Sequence, residues 1–237
     1  MTTSNKILLG TFLIALLILV SVHVALYAKY KRGDYTLVSD DMWPTNMITY
    51  SLSDIKYVSV NNVENVTIHA ADSSKLRYDK PGDDEDNFLE VNRRNDTLFL
   101  FGKSKRNANG RWYRGTALFF AGPLPVRITN SNLHIYSREN VTSKSFPLDV
   151  TLDQASMVVN NQQNNEVNIA SLKIDASNGS RVSLFKVKTN FLDVHLKNSS
   201  LEENTLNADS IMIVTDASSK IQLSGKNSIK AKILAYE

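Results

Sequence analysis

The 237-residue chain contains no cysteine. That removes disulfides, a thiol nucleophile, thiolate metal sites and the lipid-modified cysteine of a bacterial lipoprotein. An excess of one charge is also missing: 27 Lys and Arg stand against 24 Asp and Glu. Four of the basic residues (Lys6, Lys29, Lys31, Arg32) fall in the first 32 positions, where no acidic residue occurs, so positions 33–237 hold 23 basic and 24 acidic residues, a net of −1. Without a global basic surface, nucleic acid is not an expected partner. With 42% apolar residues the chain is too hydrophobic for disorder and predicts one folded domain with an appendage.

Charge is missing altogether from Ile7 to Ala28, ILLGTFLIALLILVSVHVALYA. A helix of that length reaches about 33 Å, enough to cross a bilayer, and the lipid bilayer is therefore an expected partner. Tyr27 and Tyr30 suit the interface, and Lys29, Lys31 and Arg32 can snorkel to headgroups. A cleaved signal peptide has a shorter apolar region and small residues before the cut, whereas Leu26 holds the −3 position of the best cut, after Ala28. An uncleaved anchor is expected. The flanking basic residues favour a cytoplasmic β domain, but large domains are exported regardless of flanking charge. His23, with only Ser21 as a polar neighbour, reads as an uncharged helix-face residue.

Beyond Arg32 no amphipathic helix stands out. Apolar residues recur at every second position in short runs, such as Val58-Ser-Val60, Leu98-Phe-Leu100, Val126-Arg-Ile128, Leu148-Asp-Val150-Thr-Leu152 and Leu192-Asp-Val194-His-Leu196. This is the pattern of half-buried strands. Four segments, beginning at Leu148, Leu172, Leu192 and Ile211, repeat a strand, a small polar corner ending in serine and a second short strand. The corner serines align as Ser156, Ser180, Ser200 and Ser219, with spacings of 24, 20 and 19. A period near 20 predicts stacked coils, eight to ten of them, that bury one continuous core. A β-sandwich is the alternative. Asn and Ser number 49, which fits repeated tight corners.

These serine corners, together with Asn95-Asp96-Thr97-Leu98-Phe99-Leu100, resemble the auto-transporter adhesin head family, the GIN domain common in Bacteroidota. Corners that typically read Ser-Gly-Ser in that family appear as Asn178-Gly179-Ser180, Asn198-Ser199-Ser200 and Ala217-Ser218-Ser219. The resemblance covers residues 52–235 and implies a right-handed parallel β-helix exposed beyond the inner membrane. It carries no catalytic residues to transfer. The expected organisation is a tail at 1–6, a transmembrane helix at 7–28, a juxtamembrane linker at 29–51 and an all-β solenoid at 52–237.

One segment combines cations with aromatics. In KSKRNANGRWYR, Lys103, Lys105, Arg106, Arg111, Trp112 and Arg114 are the expected contacts to an anionic surface, with a solvated hairpin tip as the alternative. Ala117-Leu118-Phe119-Phe120 reads as a buried strand or a docking segment. The acidic run Asp83-Asp84-Glu85-Asp86 lacks the spacing of a calcium loop, and His69, His134 and His195 lack metal-ligand spacing. Asn-x-Ser/Thr triplets at Asn65, Asn95, Asn140, Asn178 and Asn198 follow from composition. No His and acidic residue accompany the corner serines at a fixed offset, so no catalysis, metal or cofactor is expected. The first functional reading is a membrane-anchored, adhesin-like module of the bacterial envelope that binds glycan or an envelope protein. The second is a cytoplasmic membrane-tethered scaffold that polymerises like the β-helical bactofilins. A β-helical polysaccharide lyase is a third, for which no carboxylate cluster is found.

Overall fold

The computed structural model describes residues 11, 16–18, 20–24, 27, 47–79, 89–103, 116–135, 145–159 and 166–236. The chain divides into two units, Met1–Trp43 and Pro44–Glu237. In the first, the described residues are helical, with Leu17 and Val24 exposed. The Ser21 hydroxyl donates to the Leu17 carbonyl one turn earlier. Of the transmembrane helix expected over 7–28, ten positions are described; among the described residues no helix is long and apolar enough to cross a membrane. Twelve of the 22 positions of that span lie outside the described residues.

Among its described residues the second unit is all β apart from one short helix. Its strands are β1 (Met47–Ser51), β2 (Tyr57–Asn61), β3 (Asn65–Ala70), β4 (Lys75–Asp79), β5 (Leu89–Arg94), β6 (Thr97–Gly102), β7 (Thr116–Phe120), β8 (Val126–Thr129) and β9 (Asn132–Ile135). They continue with β10 (Leu148–Asp153), β11 (Ser156–Val159), β12 (Val167–Ser177), β13 (Arg181–Leu184), β14 (Val187–Lys197), β15 (Ser200–Glu203), β16 (Leu206–Thr215), β17 (Lys220–Gln222), the helix α1 (Gly225–Lys230) and β18 (Ala231–Ala235). Each alternating run read from the sequence falls on a strand, with Leu223 one residue past the end of β17.

Two nine-stranded sheets result. The first has the order β1-β4-β7-β3-β9-β11-β13-β15-β17, and the second β18-β16-β14-β12-β10-β8-β2-β6-β5. From β8 onward successive strands alternate between the sheets, and each pairs in parallel with the strand two later in sequence. That pairing differs from the antiparallel ladders of a sandwich. Inward side chains stack in register: Leu98, Val58, Val126, Val150, Ile174, Val194 and Ile213 form one apolar row through the second sheet, all nearly inaccessible. In β12, β14 and β16 the inward parity shifts by three residues, from Ile169 to Leu172, Thr189 to Leu192 and Ala208 to Ile211, so each long strand bends and adds a third inward row.

Three expectations need correction. First, the coils are not stacked in chain order: the β2/β3 layer lies between the β6/β7 and β8/β9 layers. Second, seven β-paired layers, not eight to ten, are formed among the described residues. The early part of the chain supplies antiparallel strands instead, β1 and β4 beside β7 and β5 beside β6, which cover that end of the stack. Third, the serines that stack are Ser131, Ser180, Ser199 and Ser219, with Ala155 between the first two. Ser156 and Ser200 sit one position later and pair with Arg181.

The corner chemistry explains the Asn and Ser content. A residue in the left-handed region, where Asn is tolerated better than most L-residues, stands at five corners, Asn62, Asn130, Gln154, Asn178 and Asn198, and three of these, Asn130, Asn178 and Asn198, come one or two positions before a stacked serine. Its N–H continues the inter-coil ladder: Asn62 to Thr129 O, Asn130 to Asp153 O, Gln154 to Ser177 O and Asn178 to Lys197 O, at 3.0 to 3.3 Å. The serine hydroxyls then accept N–H groups from the neighbouring coil, Val63 to Ser131 at 2.9 Å, Ala155 to Ser180 at 3.1 Å and Ser199 to Ser219 at 3.0 Å. At the last corner the Asp216 carboxylate replaces a coil, accepting the Asn198 N–H at 2.9 Å and the Ser218 and Ser219 hydroxyls. The Ser219 hydroxyl chiefly holds its pKa below the usual carboxylate range.

Candidate functional site

The outward face of the second sheet carries aromatic, polar and charged side chains in register. Strands β6, β2, β8, β10, β12 and β14 place Phe99, Ser59, Arg127, Thr151, Asp175 and His195 in one outward row. Two residues along, Phe101, Asn61, Thr129, Asp153, Ser177 and Lys197 form a second row. Neighbouring positions within a row are about 4.8 Å apart, so the face is a regular ladder of ring, amide, hydroxyl and charge.

Ionisable groups pair along its centre. His195 lies between two carboxylates, with Nδ1 3.0 Å from Asp175 Oδ1 and Nε2 3.3 Å from Asp193 Oδ1. Lys173 Nζ is 3.5 Å from Asp175, and Arg127 is 3.3 Å from Asp153. Of these, His195–Asp175 and Arg127–Asp153 cross between strands and favour the observed register, each by a fraction of a kcal/mol at such exposure, while Lys173–Asp175 and His195–Asp193 lie within one strand. Asp175 and Asp216, with partial burial first, also raise the Tyr236 hydroxyl above its ordinary pKa.

At the other end of the face the chemistry is aromatic. Phe99 and Phe101 project outward from β6 with ring planes 5° apart and centroids 6.3 Å apart. Phe101 is 39% exposed. The Arg94 guanidinium lies 5.9 Å over the Phe99 ring. On β5, Asn92 stands opposite Phe99 and Glu90 opposite Phe101, and Asn92 Nδ2 donates to Glu90 Oε1 at 2.7 Å.

Of the six residues expected to bind anionic surfaces, Lys103 is exposed just beyond β6, while Lys105, Arg106, Arg111, Trp112 and Arg114 lie outside the described residues. So does the acidic run 83–86. Ala117-Leu118-Phe119-Phe120 is buried throughout, as part of β7. Phe119 is stacked on His69 at 5.2 Å and flanked by Lys75 and Arg77 at 5.0 and 5.5 Å. His69 and His134 belong to the first sheet and His195 to the second, so the three histidines are not brought together. Burial lowers the His134 pKa. Among the described residues no group of three or more His, Cys, Asp or Glu could hold a metal ion. A cleft of about 410 Å³, lined by Ala70, Phe120, Gly122, Pro123, Phe146 and Pro147 among others, has no titratable side chain among the described residues of its wall.

Sequence reasoning missed Phe99 and Phe101 because Leu98-Phe-Leu100-Phe is apolar at every position, so hydrophobic alternation cannot distinguish the buried face from the exposed one. It missed the His195 clamp because Asp175 comes from the preceding coil and meets it only through the 20-residue register.

No family model matches the chain, and no curated protein matches it. Among solved structures the chain is similar to three bacterial proteins with provisional adhesion names. One is a candidate adhesin from Parabacteroides distasonis, at 13% identity and a TM-score of 0.36, covering 80% of this chain and 93% of that one. A second, a candidate cell adhesion protein from Clostridium sporogenes, shares 11% identity at a TM-score of 0.31, with 74% and 98% covered. The third, a candidate adhesin from Parabacteroides merdae, shares 13% identity at a TM-score of 0.31, with 81% and 95% covered. At these identities no residue role transfers.

Proposed function

We propose that the protein is a non-enzymatic, adhesin-like binding module of the bacterial cell envelope. In this reading a single helix over residues 7–28 holds it in the inner membrane, and the β unit lies in the periplasm as a closed, right-handed parallel β-helix. The observation that carries the reading is the outward face of the second sheet, where successive strands place rings, an amide, hydroxyls and charged groups side by side in register. Repeating coils make extended faces suited to a glycan chain or a protein surface, and the described cleft offers no acid or base for catalysis. The third inward row in β12, β14 and β16 supports closure of the coils. The 22-residue uncharged run supports the anchor.

The test is topology. A reporter active only in the periplasm, fused to the carboxyl end, is expected to be active; a silent periplasmic reporter with an active cytoplasmic one sinks the envelope reading. The cytoplasmic scaffold then gains weight, and one feature favours it. Edge strand β18 carries Ile233 in an inward row yet 49% exposed, and Ile229 of α1 is 88% exposed, which leaves apolar surface and an unpaired strand edge for end-to-end stacking. Electron microscopy of the purified chain separates filaments from single particles.

A further inference from the structure

We propose that Phe99 and Phe101 form a stacking platform for an uncharged glycan chain whose pyranose hydroxyls are equatorial. This rests on the binding-module reading and names the ligand class of that same face. A pyranose with equatorial hydroxyls exposes C–H groups on both ring faces and polar groups only around its rim. It therefore needs an apolar, flat support flanked at the sides by donors and acceptors. Phe99 and Phe101 supply two rings in one orientation, 5° from parallel, with polar side chains on the neighbouring strands at both sides.

The register supplies the rim. Asn92 and Ser59 lie on either side of Phe99, and Glu90 and Asn61 on either side of Phe101. The 2.7 Å bond from Asn92 to Glu90 orients both groups, and Glu90 keeps a second carboxylate oxygen to accept from a sugar hydroxyl. Sugar hydroxyls both donate and accept, which matches this mix of amide, carboxylate and hydroxyl. Near the rings Glu90 stands directly opposite Phe101, Arg94 lies over Phe99 and Lys103 is exposed just beyond β6. Glu90 repels an anionic group placed on Phe101, so an uncharged sugar unit fits that ring best.

The experiment is calorimetric titration of the purified full chain with chitohexaose and, separately, with cellohexaose. These share equatorial substitution and differ in the acetamido group. Saturable binding of at least one is expected. The double variant Phe99→Ala/Phe101→Ala is expected to weaken that binding about tenfold or more. Asn61→Ala, which keeps both rings, is expected to weaken it about fivefold. Both phenylalanines point outward, and unchanged urea midpoints verify that the variants are folded. Failure of the wild-type chain to bind either probe, or equal binding by the double variant, overturns the platform. Retention of the wild-type chain on isolated bacterial cell envelopes in the absence of probe binding would overturn the platform while leaving the adhesin-like reading in place. Loss of both would overturn both.

Discussion

Glu203 of β15 lies directly opposite Leu184 of β13 in parallel register and is 1% exposed. The same inward row holds Leu118, Ile68, Ile135 and Val159 in the other coils, so a carboxylate occupies a position that is otherwise apolar. Its oxygens accept the Leu206 N–H at 2.6 Å and the Ser224 N–H at 2.9 Å, and Asn227 bonds both to it and to the Leu206 carbonyl. Glu203 thus ties the segment entering α1 to the last full coil, where β17 and β18 leave the core with no further layer.

Removing that carboxylate orphans two buried N–H groups. Glu203→Ala is expected to destabilise the β unit by about 3 kcal/mol, and Glu203→Gln, which keeps one acceptor, by less, as read from urea midpoints. Burial pushes the Glu203 pKa up, but the bonds from Ser224, Asn227 and Leu206 together outweigh it and hold the carboxyl below its usual value. A depressed folded pKa means the stabilisation is complete above the unfolded pKa, about 4.3, and is lost as pH falls through the folded value. Wild-type stability should therefore decline in acid more steeply than that of Glu203→Gln. Parallel acid limbs for the two proteins would count against the latch.

The serine ladder makes a contrast within one residue type. The Ser180 hydroxyl is fully buried, accepts the Ala155 N–H and donates to the Ser177 carbonyl at 2.6 Å. Ser156, one position off the ladder, donates to Asn132 on an exposed surface. Ser180→Ala is expected to cost about 2 kcal/mol and Ser156→Ala less than about 0.5 kcal/mol. Equal losses in thermal or chemical unfolding would contradict the stacking order of the corners.

Corner backbone angles give a third expectation. Gln154 has φ 52°, and Asn198 has φ 50°. A glycine adopts that region without a Cβ penalty, whereas a β-branched residue resists it. Gln154→Gly should be neutral or stabilising by up to about 1 kcal/mol, and Asn198→Val destabilising by more than about 1 kcal/mol. Melting temperatures of the two variants should move in opposite directions, or the first not at all.

The later half of the β unit was legible in the sequence because local pattern and global fold agree there. Leu148, Leu172, Leu192 and Ile211 share both an alternation and a 20-residue period, and they occupy one register in four neighbouring strands. The earlier half was not, because period two identifies a strand but not its neighbour. Val58 and Leu98 pair directly, and Val58 also pairs with Val126, although 68 residues separate them. Nothing in a strand-length pattern records that insertion. The one-position error at Ser156 has a similar origin: Ala155 breaks the serine ladder where the adjacent serine imitates it.

That out-of-order layer is fixed by a close approach which gives the last expectation. At the end of β6, Gly102 passes so near the corner of the β2/β3 layer that a Cβ would overlap the Asn62 carbonyl and crowd Val63 Cα at 3.0 Å. The Asn62 side-chain amide also donates to the Gly102 carbonyl at 3.0 Å. All of these crowding atoms are backbone, so no rotamer change can relieve a methyl group. Gly102→Ala is expected to destabilise by about 3 kcal/mol, whereas Gly122→Ala, with open space around its Cβ position, should change stability by less than about 0.5 kcal/mol. Hydrogen exchange then localises the effect: amides of β2 and β6 should lose protection before those of β12 and β14, because the overlap pries apart the β2–β6 pair and leaves the later coils in contact. Uniform loss of protection across both halves would mean that the displaced layer is not held by this contact.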